Sequence, residues 1–191
     1  MMVVSGAWTD SILSTKTGFD YVAAVWSSST TCLIVGNSAT NGAIQRTTNS
    51  GSLWSDVTQI KQPCPLTDIA QISFGGNSFY LVTGSNNVES ASGGYVFTST
   101  DGITFSDAKA VSPGGLNGVA IGSNGVAYVV GVGGKIYNSS VSSIFTNWKE
   151  ITPKVNSQVV HSRRCYATLN MELASVLMVY YYFFVKMISI F

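Results

Sequence analysis

Phe79-Tyr80-Leu81-Val82-Thr83-Gly84, then Tyr95-Val96-Phe97-Thr98, then the loop Ser99-Thr100-Asp101-Gly102-Ile103-Thr104-Phe105 form the stretch that decides the fold. A nearly continuous run of β-branched and aromatic residues ending on Gly suits a strand buried on both faces. The shorter run after it suits a strand nearer a rim, and the polar loop closed by an aromatic returns the chain for one more strand. The same order recurs on both sides. Cys32-Leu33-Ile34-Val35-Gly36 and Val126-Ala127-Tyr128-Val129-Val130-Gly131 repeat the Gly-terminated run. Ala43-Ile44-Gln45-Arg46-Thr47 and Lys135-Ile136-Tyr137-Asn138 repeat the third strand.

Each Gly-terminated run follows a first strand and a short turn. The first strands are Val22–Trp26, Ile69–Phe74 and Val119–Ile121. The turns are Ser28-Ser29-Thr30, Gly75-Gly76-Asn77 and Ser123-Asn124-Gly125; Gly and Asn accept the positive φ that hairpin turns need. A weaker fourth strand is expected after each closing aromatic, at Trp54–Val57, Phe105–Ala108 and Trp148–Ile151. The repeat aromatics Trp8, Trp54, Phe105 and Trp148 stand 46, 51 and 43 residues apart. That period is the size of a four-stranded propeller blade. Pro63, Pro65, Pro113 and Pro153 all fall between units, where a missing N–H costs least.

The expectation is an all-β chain: a partial β-propeller of about three four-stranded blades, with a hydrophobic C-terminal tail. Residues 1–158 hold the repeats, in units of about 11–57, 58–108 and 109–152, and 159–191 form the tail. A β-sandwich or partly closed barrel of short strands is the competing architecture. Gly6-Ala7-Trp8-Thr9-Asp10 matches Ser52-Leu53-Trp54-Ser55-Asp56, so the sequence is expected to open inside a blade. Closed propellers have at least four blades. Closure is therefore expected to need further blades or self-association, and the sequence reads best as part of a larger propeller.

Composition narrows function by exclusion. Charged residues make up 10% of the chain, and the formal net charge is +1. Residues 1–160 carry seven Lys or Arg against eight Asp or Glu, a net of 7 − 8 = −1. A surface that tracks phosphates needs a basic stripe, so a nucleic-acid partner is not expected. Cys32, Cys64 and Cys165 have no metal-binding spacing. Cys32 reads as a small core residue, and a Cys64–Cys165 bridge stays open as an alternative. Met1 to Trp8 carries no basic flank or long apolar core, so no signal peptide is expected.

The loop Ser99-x-Asp101-Gly102-x-Thr104-Phe105 resembles the Asp-box, or BNR repeat, of the sialidase-like β-propellers, roughly Ser-x-Asp-x-Gly-x-Thr-Trp. It is one residue shorter and ends on Phe. Thr48-Asn49-Ser50-Gly51-Ser52-Leu53-Trp54 keeps the turn and the Trp, with Ser50 read at the Asp position. The stretch 139–148, ending on Trp148, has lost both Asp and Gly. The box residues Ser99, Asp101, Gly102, Thr104 and Phe105 read as structural: a short carboxylate accepts N–H bonds inside its own turn, and Gly supplies a permissive dihedral. Trp8, Trp54, Phe105 and Trp148 read as core or hairpin-clasping residues, and Asp56 and Asp107 as rim residues.

The resemblance implies a sialidase first. That family grips the substrate carboxylate with three arginines, uses a Tyr paired with a Glu as nucleophile, and an Asp as acid/base. Here the arginines are Arg46, Arg163 and Arg164, the last two outside the repeats; the glutamates are Glu89, Glu150 and Glu172. No pair of carboxylates is patterned to flank one glycosidic bond. His161 is the single histidine, and a solvated linker position is expected for it beside Arg163 and Arg164. Gly131-Val132-Gly133-Gly134-Lys135 lacks the spacing and the Ser or Thr of a phosphate loop and reads as a strand turn. Catalytic, metal and cofactor residues are therefore none. Other members of the superfamily are not enzymes, among them sorting receptors and a photosystem assembly factor.

The expected function is a non-catalytic scaffold or interaction module, meeting a protein or glycan partner through loops at one end of its blades. The alternative is a degenerate sialidase-like glycan-binding or glycoside hydrolase protein. The run 173–191 is 19 residues long and interrupted only by Lys186. It reaches the lower limit for a membrane-spanning helix; a packed helix or strand and a spurious end are the other readings. Localisation follows it: cytoplasmic, or membrane-associated if the tail is genuine.

Overall fold

The computed structural model describes residues 19–38, 42–57, 64–86 and 93–152. Twelve strands form there: β1 Asp20–Trp26, β2 Cys32–Asn37, β3 Gly42–Thr47, β4 Ser55–Asp56, β5 Leu66–Phe74, β6 Asn77–Ser85, β7 Gly94–Ser99, β8 Lys109–Ser112, β9 Leu116–Ile121, β10 Val126–Gly131, β11 Ile136–Ser140 and β12 Lys149–Glu150. They make three antiparallel four-stranded sheets in chain order, β1-β2-β3-β4, β5-β6-β7-β8 and β9-β10-β11-β12. The first strands of successive sheets are neighbours, β1 beside β5 and β5 beside β9. Sheets arrayed around a common line of first strands are the blades of a propeller. The protein is all-β, a partial β-propeller of three four-stranded blades.

The Gly-terminated runs are the second strands, and β2 is buried at Cys32 to Gly36 on both faces. One core lies between blades 1 and 2, built from Leu33, Val35 and Ile44 against Ile69, Tyr80, Val82 and Phe97. A second lies between blades 2 and 3, built from Leu81 and Val96 against Val119, Val129 and Phe145. Successive residues of one strand therefore serve different cores, Leu81 one and Val82 the other, as the two-residue period of a pleated strand requires. The outermost strands β4, β8 and β12 are only two to four residues long. Short edges offer little backbone to another chain.

Every first strand carries a bulge at the same register. Tyr21, Leu66 and Leu116 stand opposite Gly36, Gly84 and Gly131, and one residue later an extra one intrudes: Val22, Thr67 or Asn117. The seams between blades are latched differently. Across the first, the Asn37 side chain accepts from the Leu66 backbone N–H at 2.6 Å and donates to its carbonyl at 2.7 Å. Across the second, the Val119 N–H donates to Asp68 Oδ2 at 3.1 Å. Gly42 and Gly94 admit the next blade at these seams. A Cβ on Gly94 would lie 2.6 Å from the Gly114 carbonyl, and one on Gly42 2.8 Å from that of Cys64.

Two expectations about the strands need correction. The fourth strand of blade 2 is Lys109–Ser112, paired with β7, rather than Phe105–Ala108. Residues 105–108 run beside Thr98 instead, through the Ser106 N–H to the Thr98 carbonyl and the Thr98 N–H to Ser106 Oγ. The third strand of blade 3 runs on to Ser140. Trp8, Glu89, His161, Arg163, Arg164, Cys165, Glu172 and the whole tail 159–191 lie outside the described residues.

Candidate functional site: the end that carries the boxes

Register, not spacing, aligns the three loops between third and fourth strands. Thr47 stands opposite Cys32, Ser99 opposite Tyr80 and Ser139 opposite Ala127, each partner four residues before the second-strand glycine of its sheet. All three hydroxyl side chains are buried. Thr47 and Ser99 are thus the same position of the repeat.

In blade 2 the box is closed by its own side chains. Ser99 Oγ donates to Asp101 Oδ1 at 2.8 Å and accepts from the Gly102 N–H at 2.9 Å. Asp101 Oδ1 also accepts from the N–H groups of Ile103 at 2.7 Å and Thr104 at 2.8 Å. Burial alone would raise the Asp101 carboxyl, but the bonds from Thr104, Ile103 and Ser99 outweigh it and hold the group below its usual value. Gly102 has φ 67° and rests on the Tyr80 ring, where a Cβ would meet Cζ at 3.1 Å. Phe105 packs on the first core.

Blade 1 builds the same loop from different residues. Thr47 Oγ1 donates to Asn49 Oδ1 at 2.9 Å and accepts from the Gly51 N–H at 3.0 Å, and Asn49 Oδ1 accepts from the Leu53 N–H at 2.9 Å. Asn49, not Ser50, occupies the acidic position. Thr47-x-Asn49-x-Gly51-x-x-Trp54 therefore has the full length of the box, and Ser50 is the extra residue, with φ 59°. Ser50 ties the loop to the first hairpin turn, its N–H donating to the Thr30 carbonyl at 2.9 Å. Trp54 is half-buried.

Blade 3 has no carboxylate or amide in this role; its pair is two hydroxyls, Ser140 Oγ and Ser142 Oγ at 3.0 Å. Val141–Ser143 form a single 3₁₀ turn, and Ser140 Oγ accepts from the Ser142 N–H at 3.3 Å. Ile144 and Phe145 follow in the left-handed region, at φ 49° and 54°. This delivers Phe145, 1% exposed, into the second core, edge-on to Phe79 at 6.1 Å between ring centres. Trp148 only partly covers that core. The fully buried aromatic of this loop is Phe145, which the spacing of the repeat aromatics misses.

Together these loops and the hairpin turns between first and second strands form one end of the molecule, comprising 27–31, 48–54, 75–76, 100–105, 122–125 and 141–148. All six lie within the described residues, and Asp101 is the single charged residue among them. Ser, Thr, Asn and Gly supply the rest of the polarity. Each third-to-fourth loop exposes one aliphatic side chain: Leu53 at 70%, Ile103 at 46% and Ile144 at 52%. Trp26 at 55% and Phe74 join them at the ends of β1 and β5.

Other candidate groups are dispersed. Lys135 and Glu150 pair with each other on blade 3, and that hydrogen bond raises the Lys135 ammonium and lowers the Glu150 carboxyl. Arg46 lies on β3, paired opposite Leu33 and Ser55. Cys32 is buried. Cys64 is buried at the first seam, and burial pushes its thiol up to about 11. Among the described residues no group of three or more His, Cys, Asp and Glu side chains is placed to hold a metal ion.

No family profile and no curated protein matches the sequence. Among solved structures the chain is similar to a Penicillium chrysogenum alpha-L-arabinanase complexed with arabinobiose, at 13% identity and a TM-score of 0.43. The likeness covers 72% of this chain and 50% of the arabinanase, so the chain spans only half the length of that protein. The fold assignment rests on the strand order and the line of first strands.

Proposed function

We propose that the protein is a non-catalytic propeller module that engages a partner through the end formed by its box loops. One observation supports this above the others. Three loops of different construction each end by exposing an aliphatic side chain at the same end of the molecule. Loops held by their own hydrogen bonds present such side chains at little further cost in order. The side chains that the resemblance marks as a motif are consumed in building those loops: Ser99 and Asp101 bond to backbone within their own turn.

Site-specific photo-crosslinking tests the reading. A photoreactive residue at Leu53, Ile103 or Ile144 is expected to capture the same partner, while one at Asn86, an exposed position at the opposite end of blade 2, captures none. Equal patterns from both ends would sink the proposal. A panel of aryl glycosides checks the glycosidase alternative. The module is expected to leave them intact, and turnover abolished by a single carboxylate-to-amide change would replace the present reading.

A further inference from the structure

The chemistry of the box end narrows what it can meet. Its exposed apolar groups are Leu53, Ile103 and Ile144 at loop tips, with Trp26 and Phe74 beside them. Protein interfaces concentrate their binding energy in Trp, Tyr and Arg, and Leu, Ser, Thr and Val are under-represented among the residues that matter most. This end carries Trp26, with Trp54 and Trp148 half-buried, but its tips are aliphatic and set among Ser, Thr, Asn and Gly, with no Arg or Tyr in its six loops. Aliphatic groups on protruding loops need no matching pocket in a soft, apolar medium. Hydroxyl and amide groups around them can stay hydrated at the level of lipid headgroups, and an exposed Trp favours that same interfacial layer.

Charge selects among lipid surfaces. The one charge within these six loops is the Asp101 carboxylate, already bonded by two N–H groups and a hydroxyl. Among the described residues the exposed cation flanking these loops is Lys149, far short of the basic cluster that draws a protein to anionic headgroups. We infer, resting on the reading above, that the partner of this end is an electrically neutral lipid surface. Leu53, Ile103 and Ile144 enter its apolar boundary, and the surrounding Ser, Thr and Asn side chains lie among the headgroups.

The test uses the full chain with phosphatidylcholine vesicles. An environment-sensitive fluorophore is placed on a Cys at position 103 or, as the control, at position 86, in a Cys165→Ser background; Cys32 and Cys64 are buried. The probe at 103 is expected to brighten several-fold on adding vesicles and to be quenched by nitroxide-bearing lipid, while the probe at 86 does neither. The response should survive about 0.5 M salt, because no charge pairing drives it. Adding phosphatidylserine should not strengthen it. Leu53→Ser with Ile144→Ser should weaken it about tenfold or more; both side chains are exposed, and an unchanged unfolding midpoint confirms that the fold is intact.

If the two probes respond alike, the inference is overturned. That includes the case in which vesicles bind the chain through the apolar run 173–191, which would leave position 103 in water. A silent probe at 103 together with crosslinks from 53, 103 and 144 to one protein would reject the lipid surface and leave the box-end reading standing. A silent probe and no end-specific crosslink would remove both.

Discussion

Blades 2 and 3 turn the same corner with opposite means. In blade 2 a hydroxyl and a carboxylate gather four hydrogen bonds, and the backbone follows. In blade 3 the backbone itself makes the corner: the Ile144 N–H donates to the Val141 carbonyl at 2.9 Å and the Phe145 N–H to that of Ser140 at 3.1 Å. Left-handed conformations at Ile144 and Phe145 are the cost, and the burial of the Phe145 ring offsets it. One loop is held by a hydroxyl and a carboxylate at the surface; the other adds an aromatic anchor in the core to its backbone and hydroxyl bonds. A motif search finds only the first kind.

The contrast can be broken by removing each anchor. Phe145→Ala should destabilise the protein by about 3–5 kcal/mol, the usual cost of emptying a buried aromatic site. Urea unfolding would measure it, and a loss no larger than that of Trp148→Ala would show that Phe145 is not the anchor. Asp101→Ala should cost less, about 2 kcal/mol, because exposed N–H groups regain water when their acceptor goes. A cost equal to that of Phe145→Ala would erase the distinction between the two loops.

Ile144→Gly should stabilise by about 1 kcal/mol, since a β-branched residue is released from a left-handed conformation and its side chain was exposed. A loss of stability instead would mean that the strain assigned to this loop is not there. The smallest change is expected from Asp101→Asn, under about 1 kcal/mol at neutral pH, because Asn49 already fills that role in blade 1. Its signature lies in acid. The folded Asp101 carboxyl is held below its usual value, so its contribution is complete above the unfolded-state pKa. It is lost as pH falls through the folded-state pKa, below about pH 4. The Asn variant should lack that part of the acid limb, and an unchanged limb would show that Asp101 does not contribute to it.

The strand order was legible because each second strand is a long apolar run ending on Gly, a pattern that burial on two faces imposes. The Asp101 box was legible because its turn is built by side chains. The Asn49 box was harder: Thr47, Thr48, Asn49 and Ser50 are chemically alike, and a one-residue shift puts Ser50 at the acidic position. Only the pairing of Thr47 with Cys32 fixes the register. The late start of β8 and the anchoring by Phe145 depend on contacts across strands and blades, which local patterning does not encode. The seam latches at Asn37 and Asp68 were hidden for the same reason, since each reaches a residue 29 or 51 positions away.

Those latches have a consequence for assembly. A repeat protein whose seams were all alike could stack its units in any order, and neighbouring molecules could exchange them. Here the first seam requires an Asn at the end of β2, while the matching position of blade 2 is Ser85 and that of blade 3 is Val132. Each latch meets backbone N–H or C=O groups, which every first strand carries at the same register, so the chemical difference between the seams lies on the side that supplies Asn37 or Asp68. The seams are therefore marked by different side chains on one side only, and the order of blades is held by the thread of the chain.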